Sequence, residues 1–401
     1  MATVTRSEGG IMKVQAKKVQ VTDEIRQAVL AQLDNAVYYG GEQCFHFERE
    51  LAAYVKAEHA LALNSGTSAL LVAAMAVGVR AGDEVLVPAN VYDTSAEIPA
   101  FLGAVPIFCD VEADTANVTA ETLAARLSPR TKAIILTHMY GHPADMDPIM
   151  EMARTHRLPV IEVCAHALGA EYKGRRVGAI ADVGVFSLGS KNISVCGSGG
   201  AVSTNSTEKD REMELISRHG WPRVPIDESF FRMVPFADSP MAGMFPLERD
   251  PVRAGLNLQL DEIPCAVGRI GLRSLDEWNE RRRYFARLYG SLLKDAMVPV
   301  RPLSLKPWAL HSYLHYVVRA ERRDALLHFL WERGIETRVH YPTLLPELRY
   351  YREHFPTSPD LYPVARQLNR DVLTLPVHPW LTDREVEYVV GRVAEFYHAL
   401  R

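Results

Sequence analysis

At 401 residues, 48% hydrophobic and 23% charged, the chain is long enough for two globular domains and has the composition of an ordinary folded protein. A net charge of −4, with lysines and arginines dispersed along the chain, excludes the basic face of a nucleic-acid binder. Five cysteines, at positions 44, 109, 164, 196 and 265, stand far apart without a CxxC, which argues against a disulfide framework and a zinc site, and no other spacing suits a metal.

The N-terminal stretch MATVTRSEGGIMKVQAKK has no apolar core of signal-peptide length, and the most apolar run, Ala69 to Val79, is too short to cross a bilayer. A cytoplasmic protein with no membrane span is the expectation. Helical spacing from Val21 to Val37 stops at Tyr38-Tyr39-Gly40-Gly41, and a second helix is predicted over Phe47 to Lys56. A short buried strand, Ala60 to Leu63, then runs through Asn64-Ser65-Gly66-Thr67-Ser68 into an apolar helix over Ala69 to Val79. A strand, a Gly/Ser/Thr turn and a helix start make an anion site, because the first backbone N–H groups of the helix lack partners and point at the turn.

Further strands are predicted at Glu84 to Pro88, Ala104 to Cys109, Ala133 to Thr137, Val160 to Val163 and Val183 to Phe186, with helices such as Asp145 to His156 between several of them. Apolar strands alternating with amphipathic helices mean an α/β fold, a mostly parallel sheet between helices. Ligands of such sheets gather at the carboxyl ends of the strands, and Thr67, Tyr92, His138, His166 and Lys191 all fall just past a strand end.

Lys191 stands in FSLGSKNISVCGSGGAV, between a small-residue turn and a glycine cluster. A lysine so held can form a Schiff base with a carbonyl, since partial burial lowers its pKa towards the reactive neutral amine. Ser187 and Ser190 beside it are candidate phosphate ligands. The GSGG at 197 to 200 lacks the spacing of a dinucleotide fingerprint and reads as backbone clearance.

From Arg218 to Gln259 a Pro-, Met- and Phe-rich passage shows little periodicity, as functional or interfacial segments do. Asp261 to Leu293 is strongly helical. A smaller C-terminal α+β domain comes next, with strands at Ser312 to Val318, Thr337 to His340 and Leu373 to Pro376 and helices over Arg323 to Arg333 and Asp383 to Tyr397. The expected division is a large domain over 1–270, with an N-terminal helical segment, and a small one over 271–401.

In order, NSGTSAL (64–70), GDEVLVPA (82–89), PRTKAII (129–135), YGHPADMD (140–147), VIEVCAHALGAEYKG (160–174), SKNISVCGSGGAV (190–202), GLNLQLDE (255–262), LDEWNERRRYFARLY (275–289) and the late TRVHYP and TLPVHPWLTD resemble the DegT/StrS-type sugar and aminocyclitol aminotransferases. The resemblance runs from about Val21 to the C-terminus. It implies a fold type I enzyme dependent on pyridoxal 5'-phosphate, moving an amino group from glutamate or glutamine to a keto sugar, aminocyclitol or related intermediate.

Residue by residue, the resemblance makes Lys191 the catalytic lysine that binds the coenzyme and shuttles the substrate proton. It makes Thr67, Ser68 and Ser187 phosphate ligands, Tyr92 the ring stacked on the pyridine, and His166 a residue beside the coenzyme. Asn257 would reach the phosphate of the other subunit in a homodimer with shared sites. His340 becomes a substrate candidate through its motif, whereas His138, His219, His311 and His315 read as structural.

Several positions depart from the family pattern. Val163 stands where the family has the aspartate that binds the protonated pyridine nitrogen. Valine accepts no hydrogen bond, so the ring is expected to be largely neutral near pH 7, a poorer electron sink. The Ser187 to Lys191 interval is one residue short, Ser198 replaces a common glutamate, Gln259 an arginine, and Pro346 and Leu348 a His and Gln frequent in nucleotide-sugar enzymes. Because of Val163, two alternatives stand beside transamination: a pyridoxal phosphate enzyme with an elimination, dehydration or racemase-like reaction, and a degenerate cofactor-binding scaffold.

Overall fold

The computed structural model describes residues 12–35, 37–189, 197–222 and 251–400. Ser190, Lys191 and Cys196, with much of the aperiodic passage before Gln259, lie outside the described residues.

Two helices open the chain, α1 (Asp23–Asn35) and α2 (Glu42–Val55), followed by β1 (His59–Leu63) and α3 (Gly66–Ala76). Then come β2 (Glu84–Pro88), α4 (Thr94–Phe101), β3 (Val105–Cys109), α5 (Ala120–Ala124), β4 (Thr131–Thr137), α6 (Met146–His156) and β5 (Val160–Val163). The short pair β6 (Glu171–Tyr172) and β7 (Arg175–Arg176) precedes β8 (Val183–Ser187), β9 (Gly200–Thr204) and α7 (Thr207–Ser217). Among the described residues, seven strands form one sheet in the order β1-β9-β8-β5-β4-β2-β3. β9 runs antiparallel to both neighbours, and the pairs from β8 to β3 are parallel.

The sheet is mostly parallel, as the alternation of strands and helices predicts. β9 was not foreseen, because a Gly-Ala-Val-Ser-Thr strand buried along its whole length carries no two-residue alternation. One face packs on α3 through Leu61, Leu63, Leu70, Val72, Val163, Val185 and Val202, and the other on α2 and the next long helix through Phe47, Leu51, Cys164, Phe186, Ala201 and Leu275.

That long helix, α8 (Glu262–Asp295), spans 34 residues. Position 270 falls inside it, so a single rigid element joins the large sheet to the C-terminal unit. After it come β10 (Val300–Pro302), β11 (Ala309–Leu310), β12 (Tyr316–Ala320), α9 (Arg323–Glu332), α10 (Arg349–His354), α11 (Pro363–Asp371), β13 (Val372–Leu375) and α12 (Asp383–His398). β10, β12 and β13 form a three-stranded antiparallel sheet over a core of Tyr289, Val318, Leu330, Leu373, Val389 and Val393. The strand expected at Ser312 to Val318 lies later, at Tyr316–Ala320, and the one expected at Thr337 to His340 is a single bridge, Arg338 to Thr374. Past that bridge the chain peels towards the large sheet, where the Tyr341 N–H meets Asn90 Oδ1 at 3.4 Å.

Candidate active site

At the carboxyl end of β8, Ser187 lies against the first turn of α3. A Cβ added to Gly66 would sit 2.9 Å from Ser187 Cβ, and one added to Gly200 would sit 2.2 Å from the Ser65 carbonyl oxygen. The glycines therefore let two strand ends close onto a helix start, which is the backbone clearance expected of the GSGG stretch. Ser65 caps the helix, its hydroxyl accepting the Ser68 N–H at 3.0 Å, while the amides of Gly66 and Thr67 precede the first intrahelical bond. Thr67 is exposed at this end. Ser68 is already engaged: its hydroxyl donates to Asn64 Oδ1 at 2.6 Å. The cradle of amides and hydroxyls fits a phosphate. The flanks of the segment carrying Lys191 reach the same place, since the Leu188 N–H donates to the Gly199 carbonyl at 2.9 Å and Gly199 bridges to Ser65.

Strand register defines a surface beside this cradle. Thr137 pairs with Val163 across β4 and β5, and Val163 with Val185 across β5 and β8. Register partners share a face, as do residues two apart, so Thr137, Val163, Val185 and Ser187 all project to the α3 side. Val163 is 8% exposed and presents only methyl groups. The hydroxyl of Thr137, which is 3% exposed, has no hydrogen-bond partner among the described residues. Tyr92, just past β2, is 59% exposed, its ring centroid 6.0 Å from that of Tyr341, so its ring offers a flat face at the site's rim.

His166 is buried beyond β5. Its Nε2 shares a hydrogen bond with the Tyr341 hydroxyl at 3.2 Å, and its Nδ1 has no partner among the described residues. Burial, reinforced by His340 and Lys17, pushes its pKa down to about 3, so the ring is neutral at pH 7. His340 is likewise held at about 3 by burial, with Lys17 and Arg338 nearby; its ring lies 3.9 Å from that of His315 and its Nδ1 meets the Thr374 hydroxyl at 2.8 Å. His311 stacks on Tyr313 and accepts its N–H at Nδ1, the structural role expected of it.

His138 does not join this site, contrary to the grouping by strand ends. It comes directly after Thr137 and so turns to the opposite face. There its Nδ1 accepts the Ala144 N–H at 3.0 Å, which leaves the proton on Nε2 to donate to Glu162 Oε2 at 3.0 Å. Glu162 Oε1 accepts the N–H groups of Ile180 and Ala181 at 2.7 and 2.8 Å. Burial works to raise the Glu162 pKa, but these hydrogen bonds outweigh it and hold the carboxyl below its usual range. With Cys164, His138 and Glu162 could in principle offer three metal-ligand atoms within 4.8 Å. Each is already committed, the Cys164 thiol donating to the Glu162 carbonyl, so the trio braces β4 and β5.

Asn257 lies on an exposed strip whose next residues pair with the end of β1, and the Tyr39 hydroxyl donates to its Oδ1 at 3.1 Å. The altered Gln259 also contacts that hydroxyl. Pro346 and Leu348 sit in a segment tied to the end of β2 by the Leu345 N–H to Ala89 carbonyl bond, 3.0 Å. Sequence reasoning missed Tyr341 and Thr137. Tyr341 was visible in the HYP motif, whereas an isolated threonine ending an apolar strand carries no signal until the register is known.

A seven-stranded sheet of this order, with an anion cradle at its carboxyl end and a second sheet folded beside it, is the architecture of fold type I transferases. The model of the DegT/DnrJ/EryC1/StrS aminotransferase family matches residues 19–394, and the chain belongs to that family and is an aminotransferase. It is 34% identical over 390 residues to dTDP-3-amino-3,4,6-trideoxy-alpha-D-glucose transaminase of Streptomyces venezuelae, covering 96% of this chain and 95% of the relative. It is 33% identical over 381 residues to the erythromycin biosynthesis sensory transduction protein EryC1 of Saccharopolyspora erythraea, covering 95% and 97%. Among solved structures, S. venezuelae DesV in complex with a ketimine intermediate superposes with a TM-score of 0.84 at 33% identity, covering 93% of this chain and 94% of that one. Membership implies pyridoxal phosphate, and no described helix is long and apolar enough to cross a membrane.

Proposed function

We propose that the protein transfers an amino group from glutamate or glutamine to a keto sugar or a closely related cyclic ketone, as a cytoplasmic homodimer with shared sites. The observation that carries this reading is the cradle where Ser187 closes onto Gly66 at the start of α3, in a chain of this family. Sugar-nucleotide transaminases among the relatives support the acceptor class.

When bound, pyridoxal phosphate supplies an aldehyde that carries the amino group and a ring that withdraws electrons. The amides of Gly66 and Thr67 and the Ser187 hydroxyl hold its phosphate, with the Ser68 hydroxyl available if it releases Asn64. Tyr92 would offer its ring face to the pyridine, and Val163 would form an apolar wall beside it. Lys191, outside the described residues, is the covalent anchor and carries the proton to and from the substrate carbon. Neutral His166 orients polar groups without adding charge. His340, whose ring lies near that of Tyr341, would serve the acceptor. Asn257 serves the partner's phosphate, and its exposure together with that of Tyr38, Leu30, Leu33 and Leu256 supports a dimer face.

The test is the visible spectrum of coenzyme-loaded protein with glutamate, glutamine and alanine added singly. Conversion of the bound coenzyme to its aminated form by glutamate or glutamine, reversed by a keto sugar nucleotide, is the expected result. A coenzyme inert to every donor overturns the reading.

A further inference from the structure

We infer that the Thr137 hydroxyl is the group that meets the ring nitrogen of the bound coenzyme, and that the pyridine is held in its unprotonated form. This rests on the reading that pyridoxal phosphate occupies the cradle at α3. Thr137 ends β4, Val163 ends β5, and the two are in register on the α3 face with Val185 and, two residues on, Ser187. From Ser187 the surface steps across β5 to β4, about 10 Å for two strand spacings. A phosphorylated pyridine anchored by its phosphate at Ser187 would extend towards Val163, with Thr137 within reach of its far side.

A protonated ring nitrogen needs an acceptor, and Val163 has none. Burying an N–H donor without a partner costs more than the hydrogen bond itself returns, so the ring meets this wall as a neutral pyridine with a lone pair. That lone pair needs a donor. Thr137 carries a buried hydroxyl with no partner among the described residues. It can accept from a ring N–H as well as donate, but it brings no negative charge to balance a pyridinium beside the Val163 wall, so the neutral ring with the hydroxyl donating is the favoured pairing. Buried polar groups are otherwise almost always paired, so an orphan at this register position points to a ligand atom. Among the described residues His166 Nδ1 and Asn90 Nδ2 are further orphans nearby, but the His166 ring packs on His315 and Tyr341, and Asn90 stands past β2 with its Oδ1 on the Tyr341 N–H, both towards the smaller sheet. The pairing replaces a carboxylate acceptor on β5 with a hydroxyl donor on β4.

The experiment loads the full-length protein with coenzyme labelled with nitrogen-15 at the ring position and records its resonance. The expected position is that of an unprotonated, hydrogen-bonded pyridine. Thr137→Val, nearly isosteric, should move the resonance towards free pyridine and weaken coenzyme retention by about 3- to 10-fold, the worth of one neutral hydrogen bond. Thr137→Ser should restore both, and Val163→Asp should shift the resonance to the pyridinium position. A pyridinium signal in the parent protein overturns the inference while leaving the aminotransferase reading intact, as does a resonance that responds to His166→Asn and not to Thr137→Val. A protein that takes up no coenzyme overturns the reading and the inference together.

Discussion

The two faces of the β4–β5 strand pair carry opposite kinds of polarity. On one, His138, Glu162 and Cys164 are buried and every ligand-type atom has a partner. On the other, one residue away in each strand, Thr137 and Val163 offer a hydroxyl unpartnered among the described residues and an apolar wall beside the cradle at the start of α3. Satisfied buried polar groups hold strands together, whereas an unsatisfied one stores binding capacity for something else. Substitutions on the bonded face should therefore change stability, and those on the α3 face should change chemistry.

The largest effect should come from Lys191→Ala, a loss of about 10²- to 10⁴-fold in turnover with little change in melting temperature, measured in the spectral assay and by calorimetry. On the bonded face, Glu162→Ala strands the Ile180 and Ala181 N–H groups and should cost about 3–5 kcal/mol in a denaturant titration. Because the Glu162 pKa is depressed, its contribution is complete above the unfolded carboxyl value and fades as pH falls through the folded one. An Ala variant with unchanged stability would break the contrast between the faces.

Acid should act mainly where the two sheets meet. His142, held at about 4 by burial, and His166 and His340, held at about 3, are neutral in the fold, while an unfolded histidine titrates near 6.5. Their stability is fully present above about pH 6.5 and is lost as pH falls towards the folded values, at roughly 1 kcal/mol per pH unit for each. Denaturant midpoints from pH 8 to pH 5 check this, and a flat profile contradicts it. On the α3 face, Val163→Asp should raise the donor half-reaction roughly tenfold by supplying an acceptor for a protonated ring, read from single-turnover spectra. Smallest of all, Tyr92→Ala should weaken coenzyme retention by about 3- to 10-fold without preventing covalent attachment, measured by equilibrium dialysis.

Much of this was legible along the chain because its causes are local. The Ser65 cap and the start of α3 come from Asn64 to Ser68, and the parallel strands come from short apolar runs between helices. The cradle required only one distant addition, Ser187, and that serine stands in the same conspicuous stretch as Lys191. β9 escaped notice because a strand covered on both faces shows no alternation, and the expected strand at 337–340 dissolves because it pairs at one residue before turning to the site. His138 entered the grouping by strand ends, although as a lone histidine it read as structural, because those ends were counted without regard to which face each side chain takes.

The amino-acid sequence alone determined the family, the fold class and the capped turn at Asn64 to Ser68, since these depend on residue order and local backbone chemistry. Only the tertiary structure decided the partnership of Thr137 with Val163, the burial of His166 against Tyr341 and the withdrawal of His138 to pair with Glu162. Register between distant strands sets which side chains become neighbours, and a shift of one residue would exchange the two faces.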